Sequence, residues 1–205
     1  MSTRGVAVET EAPEVLAGNI SVGARLMASA ITFFFMAFVF AFFYLRALDT
    51  AHSFREPHVT PPVGWGVAIL ACVVVSAAIF VSARTALGDG TSAKWRAGSL
   101  IALVLALAVV GLQIIEYYNL SFGASDGGLA SVFTGFTFVF MVFWLGVVYW
   151  IETLWAQSLR GERAGESDIA DTSRLLRPNA DGCAVVIFVM VVAQLFAFVL
   201  LYLVK

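Results

Sequence analysis

The sequence predicts an all-α membrane protein, a bundle of five transmembrane helices with the amino terminus cytoplasmic and the carboxyl terminus outside. Three observations carry that prediction. The 205 residues are 60% hydrophobic and only 13% charged, with a mean hydropathy of +0.91, far from the balance of a soluble domain. Five stretches reach the length of about 20 apolar residues that a span of the hydrocarbon core requires. Lysine and arginine are distributed unevenly between the two sets of connecting loops.

The chain starts with Glu9, Glu11 and Glu14, one arginine and no apolar core. It lacks the basic start and apolar stretch of a secretory signal. Residues 1–20 read as a flexible cytoplasmic tail, and residues 21–205 as one membrane domain. The spans are placed at 24–46, 64–83, 97–119, 129–151 and 182–204. Each must be helical, because helices and closed barrels alone satisfy backbone polar groups in lipid, and no alternating strand pattern is present. In the first span, Phe33, Phe34, Phe35, Phe38, Phe40, Phe42 and Phe43 cover too much of the circumference for a single core stripe. Some of them must face lipid or another protein. Small-residue pairs at helical spacing, Ala37 with Ala41 and Ala102 with Ala106, permit close helix approach. Three segments read as loops, at 49–62, 85–94 and 161–181, and all five prolines fall outside the predicted spans.

One set of span ends carries Arg4, Arg25, Arg84, Lys94, Arg96, Arg160, Arg163, Arg174 and Arg177, against Arg46, Arg55 and Lys205 at the other. The excess assigns the first set to the cytoplasm. The formal net charge of −2, with no block of like charge, gives no footprint for nucleic acid. Cys72 and Cys183 lie in apolar segments and read as small packing residues.

Redox chemistry in a membrane needs histidine, methionine or cysteine at matched depths of facing helices. Both histidines, His52 and His58, lie in the first outer loop. A metal site there would draw on Asp49 and Glu56, and solvated loop histidines are the simpler reading. No phosphate-binding loop, nucleophile elbow, zinc-protease helix or dinucleotide fingerprint occurs. The span centres are free of charge, which disfavours a small independent transporter. Their polar residues, Ser29, Thr32, Ser76, Thr134, Thr137 and Gln194, are expected to bond to backbone or to a neighbouring helix.

Glu116 stands apart from this pattern. It lies about one turn from the outer end of the third span, and Gln113, three residues earlier, shares its face. The strong cations of that side suggest Arg46 or Arg55 as its partner. Glu116 would then tie the third helix to the first loop.

The string Gln113-x-x-Glu116-Tyr117-Tyr118, followed by Phe122, Ser125-Asp126-Gly127 and Ser131-x-Phe133, resembles a segment of subunit III of haem-copper cytochrome oxidases. The Phe-rich first span, Pro61-Pro62 in the next loop, and Phe196 and Tyr202 in the last helix agree with that family. The five helices resemble its shorter bacterial members. The resemblance implies a subunit of the bacterial inner membrane with no catalytic residue, metal or cofactor of its own. Its partners would be subunit I, which holds haem and copper, other oxidase subunits, and membrane lipid, with bound phospholipid in some members. Gln113, Glu116, Tyr117, Tyr118, Asp126, Arg46 and Arg55 would then be structural or interface residues. Family positions that bear glutamate, histidine or aspartate, associated with lipid binding and proton uptake, here read Ala30, Phe140, Phe143, Phe188 and Val191. An accessory chain of a nitric oxide reductase is the alternative within the same fold.

Overall fold

A computed structural model describes residues 12–49, 54–89, 92–163 and 166–204, excepting the side chains of residues 13, 88 and 161–174. Five helices follow one another: α1 (Pro13–Ala47), α2 (Val63–Gly88), α3 (Ser92–Tyr118), α4 (Gly128–Arg163) and α5 (Glu166–Ala197). A π-helical turn, Phe198–Leu203, continues α5. Every helix contains a stretch long and apolar enough to cross a membrane. The protein is a multi-pass helical membrane protein, and an odd number of spans puts its two ends on opposite faces.

The helices overrun the predicted spans. Helix α4 has 36 residues, or about 54 Å at 1.5 Å per residue, well beyond a hydrocarbon core of about 30 Å. Helix α1 begins at Pro13, inside the stretch expected to be a tail, with proline in the first turn where its missing N–H costs nothing. The segment 161–181, read as a loop from its charge, is helical apart from residues 164 and 165, which lie outside the described residues. Charge marks where a helix leaves lipid, not where it stops. Pro178, expected outside any helix, lies within α5.

Helix α5 is the hub, packing against α1, α2 and α4, while α3 is held between α2 and α4. The seams of α3 explain its small residues. Ala102 and Ala106 are fully buried, and each leaves a backbone carbonyl within reach of a neighbour. The Ser76 hydroxyl of α2 donates to the Ala102 carbonyl at 2.9 Å, and the Trp144 indole N–H of α4 donates to that of Ala106 at 2.9 Å. The other pair does not form such a seam, since Ala37 is exposed and Ala41 half-buried. Ser29, Thr32 and Thr137 donate to the carbonyl four residues earlier in their own helices, as expected.

Helices α1 and α4 meet through aromatic rings. Phe35 packs on Phe136 with centroids 4.9 Å apart and lies near Phe140 and Phe143, while Phe140 stacks on Trp144 at 5.7 Å. Phe33, Phe34, Phe40 and Phe43 stay exposed on α1, as the crowded circumference required.

Candidate functional site

The polar residues of the bundle converge at the end where α3 stops. Glu116 and Gln113 both face inward and are almost wholly buried. The Gln113 side-chain amide donates to Glu116 Oε2 at 2.6 Å, as their three-residue spacing allows. The second carboxyl oxygen, Oε1, accepts the Tyr202 hydroxyl at 2.6 Å. The carboxyl group therefore ties α3 to the end of α5. The expected partner was Arg46 or Arg55, and here the structure corrects the sequence. Arg55 instead donates from Nη1 to the carbonyl of Val204 at 2.8 Å. The physical reason is depth: Tyr202 brings an apolar ring with one donor to a buried level, whereas a guanidinium would have to be stripped of water to reach it.

Two backbone features let Tyr202 arrive there. The turn Phe198–Leu203 is wider than an α-helical one, with Val204 N–H bonded to Val199 O at 3.0 Å. It carries Leu200, Leu201 and Tyr202 inward in succession. Helix α2 then presents Gly66 to the ring: a Cβ there would sit 2.7 Å from Tyr202 Cε1. Only a glycine leaves that space, so α2, α3 and α5 meet at one point.

Tyr117 adds a second tie. Its hydroxyl donates to Thr137 Oγ1 at 2.8 Å, joining α3 to α4, and the Thr137 hydroxyl donates to Phe133 O at 2.7 Å. Tyr118 points the other way and is exposed. Gln113 Oε1 is buried without a hydrogen-bond partner.

Above this cluster the loops clasp each other. Asp126 accepts the Gly123 N–H at 2.8 Å and sits 3.6 Å from His58 Nε2, whose Nδ1 lies 3.5 Å from Glu56. The Gly123 N–H, with His58 and Ser125 adding to it, holds Asp126 below the usual carboxylate range. Gly127 takes a φ of 107°, which an L-residue rarely adopts. The chain then enters α4, where Leu129 N–H bonds to Phe54 O at 2.8 Å and Ser131 caps the turn at Ala124 O. His52 lies outside the described residues, and so does the metal site with His58 that was weighed against solvated loop histidines. Among the described residues no three His, Cys, Asp or Glu side chains converge as metal ligands.

Chemically, the arrangement is a sealed clamp. Glu116 is 0% exposed and Tyr202 6% exposed, which closes the carboxyl group to a bulk substrate and suits it to fixing helix ends. Sequence reasoning placed Gln113, Glu116, Tyr117 and Asp126 at this end, but did not join Tyr202, Gly66, Thr137 or His58 to them. Depth counting offered the missing signal. Helices α3 and α5 run the same way across the membrane, and Glu116 and Tyr202 lie at matching levels near their ends.

Residues 4–159 match the family model described as cytochrome c oxidase subunit III. No curated protein matches the chain. The matched stretch includes the Gln113–Glu116 pair, Tyr117, the Asp126 loop and most of α4, and ends before α5. It spans most of the sequence, and the chain belongs to the cytochrome c oxidase subunit III family.

Proposed function

We propose that this chain is a divergent, non-catalytic subunit III of a respiratory haem-copper oxidase in a bacterial inner membrane. It would pack against subunit I, which holds the haem and copper, and keep it stable during oxygen reduction coupled to proton pumping. The amino terminus would be cytoplasmic, following the lysine and arginine excess. The observation that carries the reading is the pairing of family membership with a polar centre built as a clamp. Buried Glu116 accepts from both Gln113 and Tyr202. Both histidines lie between α1 and α2, so the spans offer no imidazole to a metal or haem.

The family's lipid- and proton-associated positions are apolar in this chain. Phe140 is buried against Phe35 and Trp144. Ala30 and Phe188 face outward, and Phe143 and Val191 are half-buried. These substitutions remove polar side chains and leave the scaffold. They also favour, as a second reading, the related accessory chain of a nitric oxide reductase.

The test is to tag the chain, extract it from its native membrane in mild detergent, record the visible spectrum and identify the co-eluting proteins. An a-type haem spectrum with a copper-containing catalytic subunit is expected. A catalytic subunit with haem and non-haem iron would shift the assignment to the reductase. A colourless chain eluting alone would overturn both and favour an independent transporter.

A further inference from the structure

The α1–α2 loop is fastened to the rest of the bundle at several points beside the clamp. Arg55 donates to the Val204 carbonyl after α5 at 2.8 Å, and the Phe54 carbonyl accepts the Leu129 N–H of α4 at 2.8 Å. The Ser121 hydroxyl reaches the His58 carbonyl at 3.4 Å. These bonds use groups that keep their protons near neutral pH. A further fastening does not. The His58 ring lies between two carboxylates, with Nδ1 3.5 Å from Glu56 Oε2 and Nε2 3.6 Å from Asp126 Oδ2. Glu56 belongs to the same loop and Asp126 to the α3–α4 loop, so the ring spans the gap between them.

An imidazole satisfies both neighbours in only one of its charge states. A neutral ring has one N–H, and in either tautomer its other nitrogen turns a lone pair toward a carboxylate oxygen. The trio then carries two negative charges. A protonated ring donates from both nitrogens and reduces that charge to one. Asp126 is a fixed counterpart, because Oδ2 also accepts the Gly123 N–H at 2.8 Å and Oδ1 faces the Ser125 hydroxyl at 3.4 Å. The surrounding elements add little charge of their own. Arg55 is turned to Val204, and with Arg46 and Asp49 it lines a cavity at the end of α1. Glu116, at the end of α3, is sealed by Gln113 and Tyr202. The first turns of α2 and α4 and the π-helical turn bring no acid.

We propose that His58 is a proton-operated latch between the two loops. Protonated, it binds Glu56 and Asp126 at once and closes the loops over the clamp. Neutral, it holds one carboxylate and releases the other. On the alkaline side the latch opens as the ring loses its proton. On the acid side it fails only once Asp126 is protonated, and that carboxyl group is held below the usual range, by the Gly123 N–H above all. The latch rests on the geometry of the loops and not on the oxidase assignment.

The full chain, purified with its associated proteins, is followed by hydrogen–deuterium exchange at about pH 5.5 and about pH 8.5, chosen because histidine is the side chain whose charge changes between them. Rates are corrected for the intrinsic pH dependence of amide exchange. Peptides covering 54–60 and 120–127 are expected to exchange roughly two- to five-fold more slowly at the acid value, as exposed ion pairs allow. The difference should shrink in high salt. His58→Gln keeps a side-chain donor but gains no proton, and should show equal rates at both values, as should Asp126→Asn. Loop rates that are the same at both values in wild type would overturn the latch. A pH difference that survives in His58→Gln would overturn it too, since another group would then be responsible.

Discussion

The clamp end of the bundle and its aromatic middle hold helices together by different physics. At the clamp, one short bond from Tyr202 to the buried Glu116 carboxyl group joins α3 to the end of α5, Gln113 of α3 holds the other carboxyl oxygen, and Tyr117 bonds to Thr137 to join α3 to α4. In the middle, α1 meets α4 through rings of Phe35, Phe136, Phe140 and Phe143, with no directional bond among them. Directional bonds fix register and tolerate few substitutions. Ring packing supplies contact area and tolerates changes that conserve volume. A membrane bundle gains little from burying apolar groups out of lipid, so the polar end carries a disproportionate share of its specificity.

Removing the carboxyl group should break that comparison most sharply. Glu116→Ala leaves the Gln113 amide and Tyr202 hydroxyl buried without an acceptor, and should cost about 2–5 kcal/mol, seen as a lower thermal midpoint in detergent. A midpoint unchanged from wild type would remove the clamp from the account. Gly66→Ala should come next, at about 1–3 kcal/mol from forcing the Tyr202 ring aside. Adding Tyr202→Leu frees the space, so the double variant should lose less than the two single changes combined. Simple additivity would show that Gly66 and the ring are not coupled.

The aromatic middle offers a contrast within itself. Phe140→His places a polar ring against Phe35 and Trp144 and should destabilise by about 1–3 kcal/mol. Phe188→His, on an outward position, should change the packing of the bundle by less than about 0.5 kcal/mol. Similar losses at both positions would argue against a packing origin. The smallest effect belongs to the loop clasp. Because the folded state holds Asp126 below its ordinary value, its contribution is present above the unfolded pKa and is lost as pH falls through the folded one. Asp126→Asn should therefore flatten the acid side of a stability-against-pH curve and leave the neutral region almost unchanged.

The five spans were legible because length and apolarity are imposed by the bilayer itself. Glu116 stood out for the complementary reason, as the one acid inside an apolar run. Its partner was harder to read. Charge suggested Arg46 or Arg55, whereas the bond is made by Tyr202, 86 residues away in sequence, through a space that Gly66 opens. Neither residue carries a local mark of that role: a glycine in a membrane helix and a tyrosine near a span end are both common. The long helical continuation through 166–181 was hidden because polar composition resembles a loop, and because Pro178 signals a break that α5 absorbs.

Helix α5 is also the last of the five to leave the ribosome, although α1, α2 and α4 all pack against it. The four earlier helices enter the bilayer without the surface that organises them. During that interval Glu116 has no tyrosine to meet, and the seam that joins α3 to α5 stands open. Final assembly is thus a late event in biosynthesis, since the seams of α1, α2 and α4 with α5 close only once that helix is in place.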